Sequence, residues 1–203
     1  MKKKYIVIFI VVLFIVGVAL YLFFPHPYIK PIKAEQNLED FIIEESYVKL
    51  KNSSSNQIFY YKVKARKAKS FSIDVYKGDK NNLKATAQIF ENFENLNKNN
   101  FQVGVGTISN TPVIKIDDSV HRIDEDRVWI SENEKPVSGY HWLSQKYSPS
   151  KMNEPLILLT IYFSSTYSIH DNGSYYLKDF RPEDNFNYYI FTITFYDYDI
   201  TKK

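Results

Sequence analysis

The longest apolar segment of the chain lies near its N-terminus. Residues 5–24 contain no charge, no side-chain amide and no proline. As a helix with a rise of about 1.5 Å per residue, twenty residues measure roughly 30 Å, which matches the hydrocarbon core of a bilayer. The pattern therefore predicts one transmembrane helix over residues 5–24.

This segment has the features of an anchor that is retained. A cleavable signal has an apolar stretch of about 7–15 residues with a small-residue cleavage site after it. The small residues Gly17-Val18-Ala19 lie inside the apolar segment, not after it. Three lysines precede it, and positive residues stay on the cytoplasmic side. We expect residues 1–4 in the cytoplasm and a single-pass protein of the cell membrane with its C-terminal part outside.

A short proline-rich segment follows the apolar run. Pro25, Pro27 and Pro31 lie within seven residues, a density that excludes helix and favours an extended chain. We interpret residues 25–40 as a stalk and residues 41–203 as one extracytoplasmic domain.

Within that domain, hydrophobic and polar positions alternate with a period of two. Phe71, Ile73 and Val75 alternate with Ser72 and Asp74, which is the pattern of a half-buried strand. Similar patterns or short apolar runs predict further strands at 58–64, 101–108, 113–116, 127–131, 139–147, 155–163 and 187–199. So many short strands, rich in aromatic and β-branched residues, predict an all-β, antiparallel β-sandwich.

The segment Leu83–Leu96 fits two periodicities. Apolar residues at 83, 87, 90 and 93 suit a helix, whereas those at 85, 87 and 89 suit a strand. We favour a hairpin strand over 83–90, because a turn centred on Gly78 precedes it.

Composition narrows the classes of partner. Three of the 26 basic residues lie before the apolar segment, which leaves 23 outside against 23 acidic residues. A neutral outer part does not favour nucleic-acid binding. The absence of cysteine excludes disulfides and thiolate sites. The abundance of Lys, Asn, Ile, Tyr and Phe is typical of A/T-rich bacterial coding.

Several catalytic motifs are missing from the sequence. It contains no dinucleotide fingerprint, phosphate-binding loop or serine nucleophile elbow, and no pair of histidines at zinc-ligand spacing. We therefore expect no cofactor and no metal, and we favour a non-catalytic protein over an enzyme.

One acidic segment keeps an enzyme hypothesis open. Residues 117–127 hold five acidic residues and one histidine. A metal site there would need a ligand pattern that the spacing does not match. A carboxylate-based hydrolase of wall glycans would pair Asp117 or Asp118 with Glu125 or Asp126 at about 5–9.5 Å. The simpler interpretation is a solvated connection between strands.

A basic row forms the first candidate binding site. If residues 58–64 are a strand, its continuation projects four side chains to one face: Tyr60, Lys62, Lys64 and Arg66. Such a row suits anionic lipid headgroups, an anionic wall polymer or an acidic protein. The competing interpretation is a charged edge strand that discourages aggregation.

Aromatic residues form the second candidate site. Tyr188 and Tyr196 share a strand face with threonines, so an open face could stack on sugar rings of a glycan. The competing interpretation is ordinary cross-strand packing. Trp129 and Trp142 are interpreted first as core residues.

These observations converge on a membrane-anchored, extracytoplasmic β-sandwich that binds a partner at the cell surface. The partner is expected to be a protein, with the chain acting as an accessory subunit of an envelope complex or as an immunity-type binder. Binding of a wall polymer or glycan and hydrolysis of wall glycans remain the alternatives.

Overall fold

The computed structural model describes residues 2–23, 28–32, 57–65, 68–93, 100–108, 111–123, 137–149, 152–164 and 174–202. Over these residues the chain forms one α-helix, α1 (Lys2–Phe23), two 3-10 helices (Leu177–Asp179 and Ile200–Lys202) and ten strands. The strands are β1 (Tyr28–Ile32), β2 (Gln57–Lys64), β3 (Ser70–Gly78), β4 (Lys84–Asn92), β5 (Asn100–Ile108), β6 (Thr111–Ile116), β7 (Ser119–Arg122), β8 (Val137–Trp142), β9 (Leu156–Phe163) and β10 (Asn187–Tyr196). Within the residues just named, no helix has both the length and the apolar character that a membrane crossing requires.

The strands form two five-stranded sheets. Sheet A has the order β1-β2-β5-β6-β7, and sheet B has the order β4-β3-β10-β9-β8. Every pair of neighbouring strands is antiparallel. The predicted all-β, antiparallel sandwich is therefore confirmed.

The core lies between the two sheets. Phe71 of sheet B stacks on Phe101 of sheet A, with ring centroids 4.5 Å apart. The hydroxyl of Tyr61, on β2, donates a hydrogen bond of 2.6 Å to the carbonyl oxygen of Leu158, on β9. Tyr61 is 0% exposed, and burial raises the pKa of its hydroxyl, which keeps the proton available for this bond. The two sheets are thus joined by apolar packing and by the buried hydrogen bond of Tyr61.

A second apolar cluster covers part of the outer face of sheet B. Tyr188 on β10 packs edge-on against Tyr162 of β9 and against Phe180 in the segment before β10. Its hydroxyl accepts a hydrogen bond of 2.8 Å from the backbone N–H of Glu183. Residues 180–186 therefore cover this end of the sheet, and Tyr188 is only 3% exposed.

Most of the predicted strands are confirmed with shifts of one to three residues at their ends. The favoured hairpin strand at 83–90 corresponds to β4, which pairs with β3 along its length. The strand predicted at 139–147 ends earlier, at Trp142. The strand predicted at 127–131 lies outside the described residues.

The predicted stalk is wrong over residues 28–32, which form β1 and pair with β2. Ile29 is fully buried in the core. Pro31 is compatible with this position because β1 is an edge strand of sheet A. Proline has no backbone N–H to donate, and it is tolerated on an edge strand when it faces away from the neighbouring strand. An extended segment was predicted correctly, but its place in the sheet was not.

The connection predicted after β6 is also different. Asp117 and Asp118 form a two-residue turn into β7, which pairs with β6. Asp117 adopts a positive φ of 47°, a conformation that aspartate tolerates in hairpin turns. A tight hairpin therefore replaces the first part of the predicted solvated connection.

Asp74, on the outer face of β3, provides a test of the packing. It is 3% exposed, and burial raises the pKa of its carboxyl although Ser72 donates a hydrogen bond to it at 2.9 Å. A raised folded-state pKa means that folding favours the protonated form, so stability falls as pH rises from about 4 through the raised pKa. We expect Asp74→Asn to become progressively more stable than the original chain as pH rises from about 4 to 7.

Urea unfolding of the full chain in neutral detergent measures this difference. Asp197→Asn, at an exposed aspartate, is the matched control and should show no comparable trend. A constant difference between Asp74→Asn and the original chain across this pH range would contradict the burial of the carboxylate.

Candidate functional site: the basic face of sheet A

The basic row lies on the outer face of the sandwich. Tyr61 and Val63 are 0% exposed and point into the core. The alternating residues of β2 therefore point outward: Lys62 is exposed, and Tyr60 and Lys64 are half-buried. Arg66, the fourth predicted member of the row, lies outside the described residues.

The edge-strand explanation of this row is wrong. β2 is paired on one side with β1 and on the other with β5. Lysines on an interior strand do not shield a free edge, so discouraging edge-to-edge aggregation does not account for them.

Strand β1 extends the positive charge sideways. The pairing register places Lys30 directly opposite Lys62, and Tyr28 directly opposite Lys64. Lys146, which follows β8, brings its Nζ to 4.5 Å from the centre of the Tyr28 ring, and the Nζ of Lys64 lies 5.9 Å from the same point. These distances are in the range of cation–π contacts. We name the set Lys30, Lys62, Lys64 and Lys146, centred on Tyr28, the basic face.

The β5 residues beside the basic face do not neutralise it. On β5, the residues opposite Lys62 and Lys64 are Gln102 and Asn100, both uncharged. Three ion pairs of the described residues are Lys80–Asp184, Lys178–Glu154 and Lys202–Asp199, and none of them includes a lysine of the basic face. Like charges that lie directly opposite each other on neighbouring strands are unfavourable.

Tyr60 is placed by a glycine on the adjacent strand. Gly104 lies opposite Tyr60, and a Cβ built on it would stand 2.9 Å from the Tyr60 ring. The ring therefore lies close against the β5 backbone, which explains its partial burial. Tyr60 lies on the same outer face as the lysines, two residues before Lys62 on β2.

The predicted tyrosine face is closed at Tyr188 and partly covered at Tyr196. Tyr188 is buried in the second cluster, so it cannot stack on an external sugar ring. Tyr196 is half-buried, contacts Tyr198 at 5.3 Å between ring centroids, and lies within hydrogen-bonding distance of the Ser72 hydroxyl at 3.1 Å. The two tyrosines share a strand face, as predicted, but each packs against neighbouring residues.

Trp142 has a different role from the one predicted. It is 43% exposed and stacks on Phe59 with ring centroids 5.0 Å apart, so it is not a core residue. Sequence reasoning missed this surface because β8 is the last strand of sheet B, and the alternation alone does not reveal strand order. Trp129 lies outside the described residues.

The acidic segment shows no assembled catalytic pair in the described part of the chain. Asp117 Oδ1 accepts a hydrogen bond of 2.8 Å from the backbone N–H of Gln102, so this carboxylate ties the hairpin turn to β5. Glu125 and Asp126, the proposed second acids, lie outside the described residues. Among those that are described, no group of three or more histidine, aspartate or glutamate side chains is arranged to hold a metal ion.

The like-charge pair of Lys30 and Lys62 leads to a prediction about the stability of the fold. Removing one lysine by Lys62→Gln should stabilise the fold by roughly 0.2–1 kcal/mol, because it removes cross-strand repulsion from Lys30. The gain should shrink at high ionic strength, where exposed charges are screened. Urea unfolding of the full chain in neutral detergent, at low and high NaCl, measures it.

The matched control removes a lysine that has a carboxylate partner. Lys80→Gln deletes an exposed ion pair with Asp184, so it should leave stability unchanged or slightly lower. A salt-independent effect of Lys62→Gln, or a loss of stability as large as the predicted gain, would show that Lys30 and Lys62 do not repel each other.

Comparisons with known proteins give no family for this chain. No protein-family model, no curated protein and no solved structure matches it. Its function must therefore be inferred from its own charges and contacts.

Proposed function

We propose that this chain is a membrane-anchored, extracytoplasmic binding protein, without catalytic activity, whose β-sandwich binds an anionic partner through the basic face. The observation that carries the proposal is the direct opposition of Lys30 and Lys62, with Lys64 and Lys146 beside them around Tyr28. Such an arrangement is unfavourable for the isolated fold and becomes favourable when negative charge lies against it.

The anchor is supported by the sequence and by the exposure of the described apolar side chains of α1. Residues 5–24 carry no charge, and α1 is helical from Lys2 to Phe23. The side chains described for residues 5–18 are apolar or small, and all are exposed. Apolar side chains that are exposed all round a helix suit lipid surroundings. The three lysines at its start support an orientation with the β-sandwich outside the cell.

A binding role is supported by two further features. The sequence lacks the nucleotide, serine-nucleophile and zinc motifs named above. The lysines of the basic face lie mainly on paired strands, where backbone hydrogen bonds hold their positions before a partner arrives. A preorganised surface loses little conformational freedom on binding.

Site-specific crosslinking in intact cells tests the proposal. A photo-crosslinking amino acid at position 62 should form an adduct with an anionic partner. The adduct should be lost when Lys30→Gln and Lys64→Gln are introduced together, because these substitutions remove most of the local positive charge. Denaturing electrophoresis and mass spectrometry detect and identify the adduct.

Position 81 provides the matched control. Asn81 is exposed in the turn between β3 and β4, away from sheet A, and a crosslinker there should not give the same adduct. An adduct at position 62 that persists without the neighbouring lysines would refute recognition by charge. Absence of any adduct at position 62 would refute the basic face as the binding surface.

A further inference from the structure

We propose that the anionic partner is the lipid headgroup layer of the membrane that holds α1, and that the basic face docks on it around Tyr28. This inference rests on the proposed function, which supplies the anchor and the binding role. The identity of the partner follows from the short connection between α1 and β1, the pairing register and the position of the charges.

The chain between the helix and the sheet is short. α1 ends at Phe23 and β1 begins at Tyr28, which leaves five Cα-to-Cα steps. At 3.3–3.6 Å per residue, this connection spans at most about 18 Å. The start of sheet A is therefore held close to the end of the anchor, and a stalk of sixteen residues does not separate the domain from the headgroups.

The pairing register places positive charge at this same point. Lys64, the last residue of β2, lies opposite Tyr28, the first residue of β1. Lys146 approaches the Tyr28 ring from the loop after β8. Tyrosine and lysine are the residue types that settle at the boundary between lipid and water, the ring among the headgroups and the ammonium group towards the phosphates. Lys30 and Lys62 form the next row, about 7 Å farther along the strands.

Four described acidic residues at this end of the sandwich lie outside the basic face. Asp117 and Asp118 form the turn between β6 and β7, two strands beyond β2 in sheet A. Asp197 and Asp199 follow β10, which belongs to sheet B. A domain that lies on the β1–β2 side of sheet A therefore presents the lysines of the basic face to the bilayer and keeps these four acids away from it.

Tethering favours lipid over a soluble partner. A short connection holds a binding surface near its target at an effective concentration of about millimolar. Screened electrostatic attraction extends about 8 Å at physiological ionic strength, and each lysine near an anionic membrane contributes about a fivefold gain in binding. An acidic protein or wall polymer would have to displace the membrane from a surface that is held beside it.

Energy transfer in nanodiscs tests the inference with the full chain. Because the chain has no cysteine, Asn100→Cys introduces one labelling site beside Lys64, and Asn81→Cys introduces one at the opposite end of the sandwich. β2 ends and β3 begins at the same end, so the β3–β4 turn lies roughly 25 Å away along β3. The donor dye is on the introduced cysteine and the acceptor dye is on the lipid headgroups. Energy transfer from position 100 should be higher in discs containing phosphatidylglycerol than in phosphatidylcholine discs. High salt should remove this difference.

Charge variants identify the surface. The double substitution Lys62→Gln with Lys64→Gln should lower the ratio of docked to undocked domain about fivefold for each lysine removed. The double substitution Lys80→Gln with Lys84→Gln, at the distant turn and on β4, is matched in charge and should leave the ratio unchanged. Transfer from position 81 should remain low in both lipids.

The outcomes separate the two proposals. If the chain is not retained in the discs, the anchor is wrong and the proposed function fails. If the chain is retained but transfer from position 100 is equal in both lipids, or insensitive to the two lysines, lipid docking is overturned. Equal transfer, together with a lysine-dependent protein adduct at position 62 in cells, would assign the basic face to an acidic protein instead.

Discussion

The orientation of β2 is the constraint on which the basic face depends. The hydroxyl of Tyr61 reaches across the core to the Leu158 carbonyl, and Val63 follows Tyr61 into the same apolar interior. Because successive residues of a strand point to opposite faces, Lys62 and Lys64 must then point outward. A slip of one residue would bury both ammonium groups and expose the tyrosine, so the core strongly specifies the register.

The position of β1 joins α1 to the basic face. Ile29 is buried in the core, and its backbone exchanges hydrogen bonds of 2.8 Å with Tyr147 on the side of β1 that faces away from β2. β1 is therefore held on both sides, although it is the first strand of its sheet. The same five residues place Tyr28 and Lys30 on the outer face. Packing and charge are thus combined in the segment closest to α1.

The sequence could predict the strands but not the surface that their pairing creates. Alternation identified most strands and indicated that Lys62 and Lys64 share a face. It could not indicate Lys30 or Lys146, because their proximity to this face depends on pairing between segments far apart in the chain. Three prolines concealed β1, since they favour an extended stalk as much as an edge strand. Tyr188 was predicted on an open face because alternation does not reveal that residues 180–186 pack against it.

Thiol labelling of intact cells tests most directly the central claim, an outward basic face on an extracytoplasmic domain. Single cysteines at positions 62, 63 and 3 would be treated with a membrane-impermeant reagent in buffer of high ionic strength, which screens docking of the basic face. The account predicts rapid labelling at 62, protection at 63 until the protein is denatured, and labelling at 3 only after permeabilisation. Labelling at 62 only after permeabilisation would contradict the topology, and equal labelling at 62 and 63 would contradict the strand orientation.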